Sequence, residues 1–189
     1  MLENIKGDFM EKKHNAVNYF WRIIYAHTIA YFIAGIFAVF VINYRDLFAT
    51  DILSSFMHPV DSPIVALGPA LQIFRGILLA LILLPLRKTF FEEKHGLIKL
   101  GILIMGLSLL STIGPTIGSF EGYIYTKIPY MYQILGYPEA ILYVLLFMGI
   151  LFVSIKYEHK KIITVLSIVF VVLILSFGIM GFLSAKGLL

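Results

Sequence analysis

The chain contains no cysteine, which removes disulfides, thiolate metal sites and cysteine nucleophiles together. Charge is scarce as well. Only 14% of the residues are Asp, Glu, Lys or Arg, whereas a soluble domain carries about a quarter. What replaces the missing charge is apolar: 60% of the 189 residues are hydrophobic, and the mean hydropathy is +0.92. Such a composition excludes an ordinary soluble domain and points to an all-α integral membrane protein.

Five stretches are long enough to cross a hydrocarbon core of about 30 Å as helices: residues 23–42, 64–86, 99–115, 139–155 and 162–183. They predict one transmembrane domain over 1–189, a bundle of about five helices. Residues 1–22 form an amphipathic segment before the first span. They lack a small-residue cleavage pattern, so the first apolar run reads as a retained span.

The few positive charges fall unevenly. Lys6, Lys12, Lys13 and Arg22 precede the first span, Arg87, Lys88, Lys94 and Lys99 lie between the second and third, and Lys156, Lys160 and Lys161 lie between the fourth and fifth. Only Arg45, Lys127 and Lys186 fall on the other side. The positive-inside rule therefore predicts a cytoplasmic amino terminus and an external carboxyl terminus, in a multi-pass protein of the cytoplasmic membrane. It also assigns the net charge of +4 to anchoring loops facing the bilayer surface, so no nucleic-acid partner is expected.

Arg75 interrupts this pattern. It stands twelfth in an otherwise uncharged run of 23 residues, 64–86. A guanidinium at a helix centre costs roughly 2.5 to 3.5 kcal/mol on insertion scales, so such a residue has a partner and a purpose. Gly68, Gln72 and Gly76 share its neighbourhood at helical spacing. Ser108, Ser111, Thr112 and Pro115 supply a second polar patch in the third span. Together they predict a cavity opening outward, bottomed by Arg75 and rimmed by Gln72, Glu121 and tyrosines. The competing interpretation is a buried polar network that locks the helices together.

Two outer connections carry the remaining polar groups. Residues 114–137 are rich in glycine and tyrosine, and suit the headgroup level or a fold back into the bundle. Within them Glu121 lies between Phe120 and Gly122, where a carboxylate needs water or a cation; an Arg75–Glu121 pair, direct or through one water, is the expectation. The other connection, His58-Pro59-Val60-Asp61-Ser62-Pro63, has a capping explanation, with Asp61 or Ser62 closing a helix that begins at Pro63. Glu139, after Pro138, complements a helix dipole.

The candidate ligand-binding residues are therefore Arg75, Glu121, Gln72, Tyr125, Ser119, Asp61 and His58. His58 and Asp61 with Glu121 or Glu139 could offer metal ligands only if two separate loops converged, so no metal and no cofactor is expected. Ser119 lacks the strand-to-helix setting of a nucleophile elbow, and the Glu92–Glu93 pair sits among basic residues as a solvated cluster. His27 reads as a packed polar residue, with a proton relay as its functional alternative. Ala26, Ala30, Ala34 and Ala38 repeat at a spacing that lets helices approach closely, within the chain or against a protein partner.

The stretches Pro59-x-Asp61-Ser62-Pro63-x4-Gly68-Pro69-x2-Gln72-x2-Arg75-Gly76 and Gly114-Pro115-x2-Gly118-Ser119-x-Glu121-Gly122-x2-Tyr125-Thr126-x-Ile128-Pro129 resemble a family of small bacterial multi-spanning membrane proteins. The resemblance covers roughly residues 58–150. It implies a bacterial cytoplasmic membrane and no established activity. Recognition or transport of a small anionic solute or lipid headgroup is the expected function. An outer-leaflet enzyme acting on a lipid-linked substrate and a non-catalytic subunit of a larger membrane complex are the alternatives.

Overall fold

A computed structural model describes residues 2–110 and 116–189, with side chains from Val17 onward. All regular structure in this part is helical. The elements are α1 (Leu2–Phe40), α2 (Tyr44–Phe48), α3 (Pro63–Leu83), α4 (Gly96–Leu110), α5 (Phe120–Tyr125), α6 (Tyr130–Ile134), α7 (Tyr137–Lys156) and α8 (Lys161–Ala185). Four helical segments are long and apolar enough to cross a membrane: Val17–Phe40, Pro63–Leu86, Tyr130–Lys156 and Lys161–Ala185.

The third predicted span is shorter in its described part. At 15 residues, α4 rises about 22 Å, less than a hydrocarbon core, and residues 111–115 of the expected span lie outside the described residues. Ser111, Thr112 and Pro115 fall there too; Ser108 is described, and is exposed.

Helix α1 is the centre of the bundle. It packs against α3, α7 and α8, while α4 lies on the outer side of α7. Its alanine stripe explains the close approach: Ala26, Ala30, Ala34 and Ala38 are all buried within this one chain. The stripe is therefore not a free face for a protein partner, because helices of the same chain already cover it.

Side-chain ties put the basic residues at one end. Arg22 donates to Glu158 at 2.8 Å, joining α1 to the turn between α7 and α8, and the Arg87 guanidinium stacks over the Tyr19 ring at 5.4 Å. Tyr19 in turn donates to the Ala80 carbonyl at 3.1 Å, linking α1 to α3. A π-helical turn at Lys88–Glu92 and a left-handed His95 (φ 63°) reverse the chain into α4. Only glycine fits next, since a Cβ on Gly96 would lie 2.5 Å from the Phe90 carbonyl oxygen.

The hydrogen bond from Arg22 holds the Glu158 carboxyl below its ordinary value near 4.5. A carboxyl with a depressed folded value contributes stability above its unfolded pKa, and that contribution disappears as pH falls through the folded value. Both side chains are partly solvated, so the pair contributes at most about 1 kcal/mol. Thermal unfolding in detergent at pH 7 and at pH 3 checks this. Wild type is expected to lose slightly more stability on acidification than Glu158→Gln, and equal losses would show that the tie contributes nothing.

At the opposite end the outer segment is knotted by its own side chains. Gly118 adopts φ +82°, a conformation suited to glycine, and its amide donates to Gln133 Oε1 at 2.7 Å. Gln133 Nε2 donates to the Gly122 carbonyl at 3.2 Å and to Thr126 Oγ1 at 2.9 Å, while Tyr137 donates to the Gly118 carbonyl at 3.1 Å. Gln133 is 1% exposed, so this loop closes over a buried amide rather than over water.

Candidate functional site

Three helices converge on one buried side chain. His27 of α1 is 1% exposed; its Nδ1 lies 2.7 Å from the Tyr143 hydroxyl of α7, and its Nε2 lies 3.1 Å from Gln72 Oε1 of α3. Gln72 Nε2 donates to the Gly68 carbonyl at 3.2 Å. A neutral imidazole protonated at Nε2 satisfies the whole chain, donating to Gln72 and accepting from Tyr143. Ring packing reinforces it, with the Tyr143 ring edge-on to His27 at 5.5 Å and stacked on Phe147 at 5.9 Å.

Arg75 lies one turn from this hub. On α3, Gln72, Gly76 and Ala80 face α1, and Ala66 and Ala70 face α8. At roughly 100° per residue, Arg75 projects from a third side of the helix, away from α8. It is exposed, and it makes no hydrogen bond or ion pair among the described residues.

Above the hub the same helices enclose a cleft of about 670 Å³. Tyr31 and Gly68 line its lower part, α2 and the α6–α7 junction its upper part. Pro69, also in the wall, cannot donate to the carbonyl four residues earlier and so interrupts the α3 ladder beside the cleft. Tyr44 of α2 donates to Glu139 Oε2 of α7 at 2.5 Å, across 95 residues of sequence. Desolvation and this hydrogen bond to the ionised carboxylate raise the Tyr44 phenol well above its ordinary range, so it stays a donor at any physiological pH.

The expected site residues are dispersed. No ion pair joins Arg75 to Glu121 among the described residues; Glu121 Oε2 is buried in the outer segment without a hydrogen-bond partner. Ser119 is fully buried and serves α5 as its cap, accepting from the Gly122 amide at 2.8 Å and donating to the Thr116 carbonyl at 2.7 Å, which leaves no free hydroxyl for a ligand. Asp61 pairs with Arg45 at 3.3 Å on the surface instead of capping α3. Ser62 occupies the cap position of α3, yet its hydroxyl makes no cap hydrogen bond. His58 is exposed, and Tyr125 is 73% exposed at the end of α5. Only Gln72 belongs to the convergent cluster, with Arg75 one turn from it on α3.

The cleft's wall is mostly apolar and includes none of the seven predicted residues. Gln72, Ser119 and Asp61 are engaged by other partners, Arg75, His58 and Tyr125 are exposed elsewhere, and Glu121 lies in the outer segment. Sequence reasoning missed Tyr31, Tyr44 and Tyr143, whose only signal was a hydroxyl within or beside an apolar run. No three His, Asp or Glu side chains among the described residues are placed to hold a metal ion.

Comparison with protein-family models, with curated proteins and with solved structures returns no match to the chain. The functional reading therefore rests on the site itself.

Proposed function

We propose that the chain crosses the cytoplasmic membrane five times, amino terminus inside, and recognises or transports a small anionic solute or lipid headgroup by way of Arg75. The clustering of Arg22, Arg87, Lys156 and Lys160 at one end of the bundle supports that orientation. The observation that carries the function is Arg75 itself, an exposed cation at mid-span with no ion pair or hydrogen bond among the described residues. In hydrocarbon a guanidinium requires water or an anion, and its planar fork suits phosphate or carboxylate. Gln72, one turn from Arg75 on α3, is fixed by His27 and by the Gly68 carbonyl, which holds this stretch of the helix in place.

Native mass spectrometry of the purified protein tests this, first in nanodiscs containing phosphatidylglycerol and then in neutral lipid with inorganic phosphate. Wild type is expected to retain an anionic adduct in one of the two, and Arg75→Gln to hold it roughly tenfold or more weakly, with Arg75→Lys between them. An adduct held equally by wild type and Arg75→Gln would assign anion binding elsewhere. Retention only with phosphatidylglycerol identifies a lipid headgroup, and retention with phosphate alone a soluble anion.

A further inference from the structure

Glu139 is the counterpart of Arg75, and it sits in a different environment. It is half-buried in the wall of the 670 Å³ cleft, and no lysine, arginine or histidine is among the described residues that line that cleft. The nearest basic residue in sequence to its partner Tyr44 is Arg45, which is engaged with Asp61. A carboxylate in such a wall lacks a counterion, and a single phenol hydrogen bond replaces only part of its hydration.

The rest of the wall favours the same charge. Tyr31, Phe32, Phe40, Tyr44, Phe48 and Tyr132 line the cleft, and aromatic faces attract cations. The Tyr44 and Phe48 rings lie 4.7 Å apart, forming one continuous aromatic surface that leads to the carboxylate. Size, apolar walls, aromatic faces and one acid define a ligand with an apolar body and a single positive charge.

We propose that this cleft is a binding site for an apolar organic cation, with Glu139 as its counterion and Tyr44 holding the carboxylate in place. The site is separate from Arg75, uses the opposite charge and stands whether or not an anion binds below it. An amine-bearing amphiphile entering from the end that carries α2 and α6 places its charge beside Glu139 and its body against Phe32, Phe40 and Val65. The cation exchanges water for the carboxylate and the aromatic faces, and no covalent step is involved.

Binding of radiolabelled tetraphenylphosphonium to the full chain in phosphatidylcholine nanodiscs, with empty discs as the blank, tests the proposal. Tetraphenylborate, of the same shape and opposite charge, is the matched control. Saturable tetraphenylphosphonium binding is expected, weakened about tenfold or more by Glu139→Gln and changed no more than about twofold by Arg75→Gln, while the borate shows no saturable component. Gly35→Phe supplies an independent variant: a Cβ at Gly35 meets nothing within 4 Å and the residue lines the cleft, so the ring takes up part of the space and weakens binding with Glu139 intact. Tryptophan-monitored melting establishes that each variant is folded. Absence of saturable binding by folded wild type overturns the proposal. So does folded Glu139→Gln binding like wild type, or equal saturable binding of the borate. Should Glu139→Gln fail to fold, unchanged binding by folded Gly35→Phe overturns it equally.

Discussion

Replacing His27 by alanine is expected to destabilise the protein by roughly 3 to 4 kcal/mol, because it removes a buried ring and leaves two buried partners unmatched. Gln72 Oε1 loses its donor and the Tyr143 hydroxyl its acceptor. The helices affected are those that meet α1 most extensively, α3 and α7. For a chain of this length the loss corresponds to a fall in Tm of about 10 °C. The single tryptophan offers a direct reading, since Trp21 donates to Ser167 of α8 at 2.9 Å and reports separation of α1 from α8. His27→Phe, which keeps the volume and removes only the hydrogen bonds, should lose about half as much. A fall of less than about 2 °C for His27→Ala would mean that the hub does not hold the three helices together.

Gly76→Leu should be comparably damaging for a steric reason. A Cβ at Gly76 would lie 3.0 Å from the Ile24 Cα and 3.4 Å from its carbonyl oxygen, so α1 and α3 touch backbone to backbone there. A leucine must push the helices apart, and overpacking of this kind costs typically 1–3 kcal/mol, with more when backbone is the obstacle. Separation also stretches the His27–Gln72 bond one turn away, so the steric and polar costs add. Gly106, whose Cβ would meet nothing within 4 Å, is the control. Gly106→Leu is expected to melt within a few degrees of wild type, whereas Gly76→Leu should melt about 10 °C lower or fail to reach the membrane folded. Similar melting of the two variants would contradict the close α1–α3 contact.

Both predictions concern contacts between helices, and this is where the sequence was least legible. The apolar runs read from it at 64–86 and 162–183 match two of the four apolar helical segments to within two residues, while Val17–Phe40 begins six residues before the run 23–42 and Tyr130–Lys156 nine before the run 139–155. Hydrocarbon imposes a one-dimensional length requirement that a residue string displays directly. Arg75 was equally visible, because a charge in such a run is a local anomaly. Glu121 stood out as the acid without a local explanation, yet no ion pair joins it to Arg75 among the described residues.

Pairing across the bundle follows no sequence spacing. Glu139 had a local explanation at the start of α7, and that explanation hid its hydrogen bond to Tyr44. Ser119 read as a candidate ligand-binding residue, yet a chain that folds back at the bundle's end must satisfy its own amides, and Ser119 and Gln133 do so. His27 read as a lone polar residue in an apolar helix because neither Gln72 nor Tyr143 is near it in sequence.

The sequence by itself determined that this protein is helical, that four of its segments are long and apolar enough to cross a membrane, and that one of them carries a costly cation at its middle. Only the tertiary structure decided that α1 lies at the centre, that His27 joins it to α3 and α7, and that the cleft above them presents Glu139 rather than Arg75. The division has one physical origin. Transfer into a membrane is summed residue by residue along the chain, whereas hydrogen bonds and cavities depend on which helices become neighbours, and that is settled by small-residue packing between surfaces far apart in sequence.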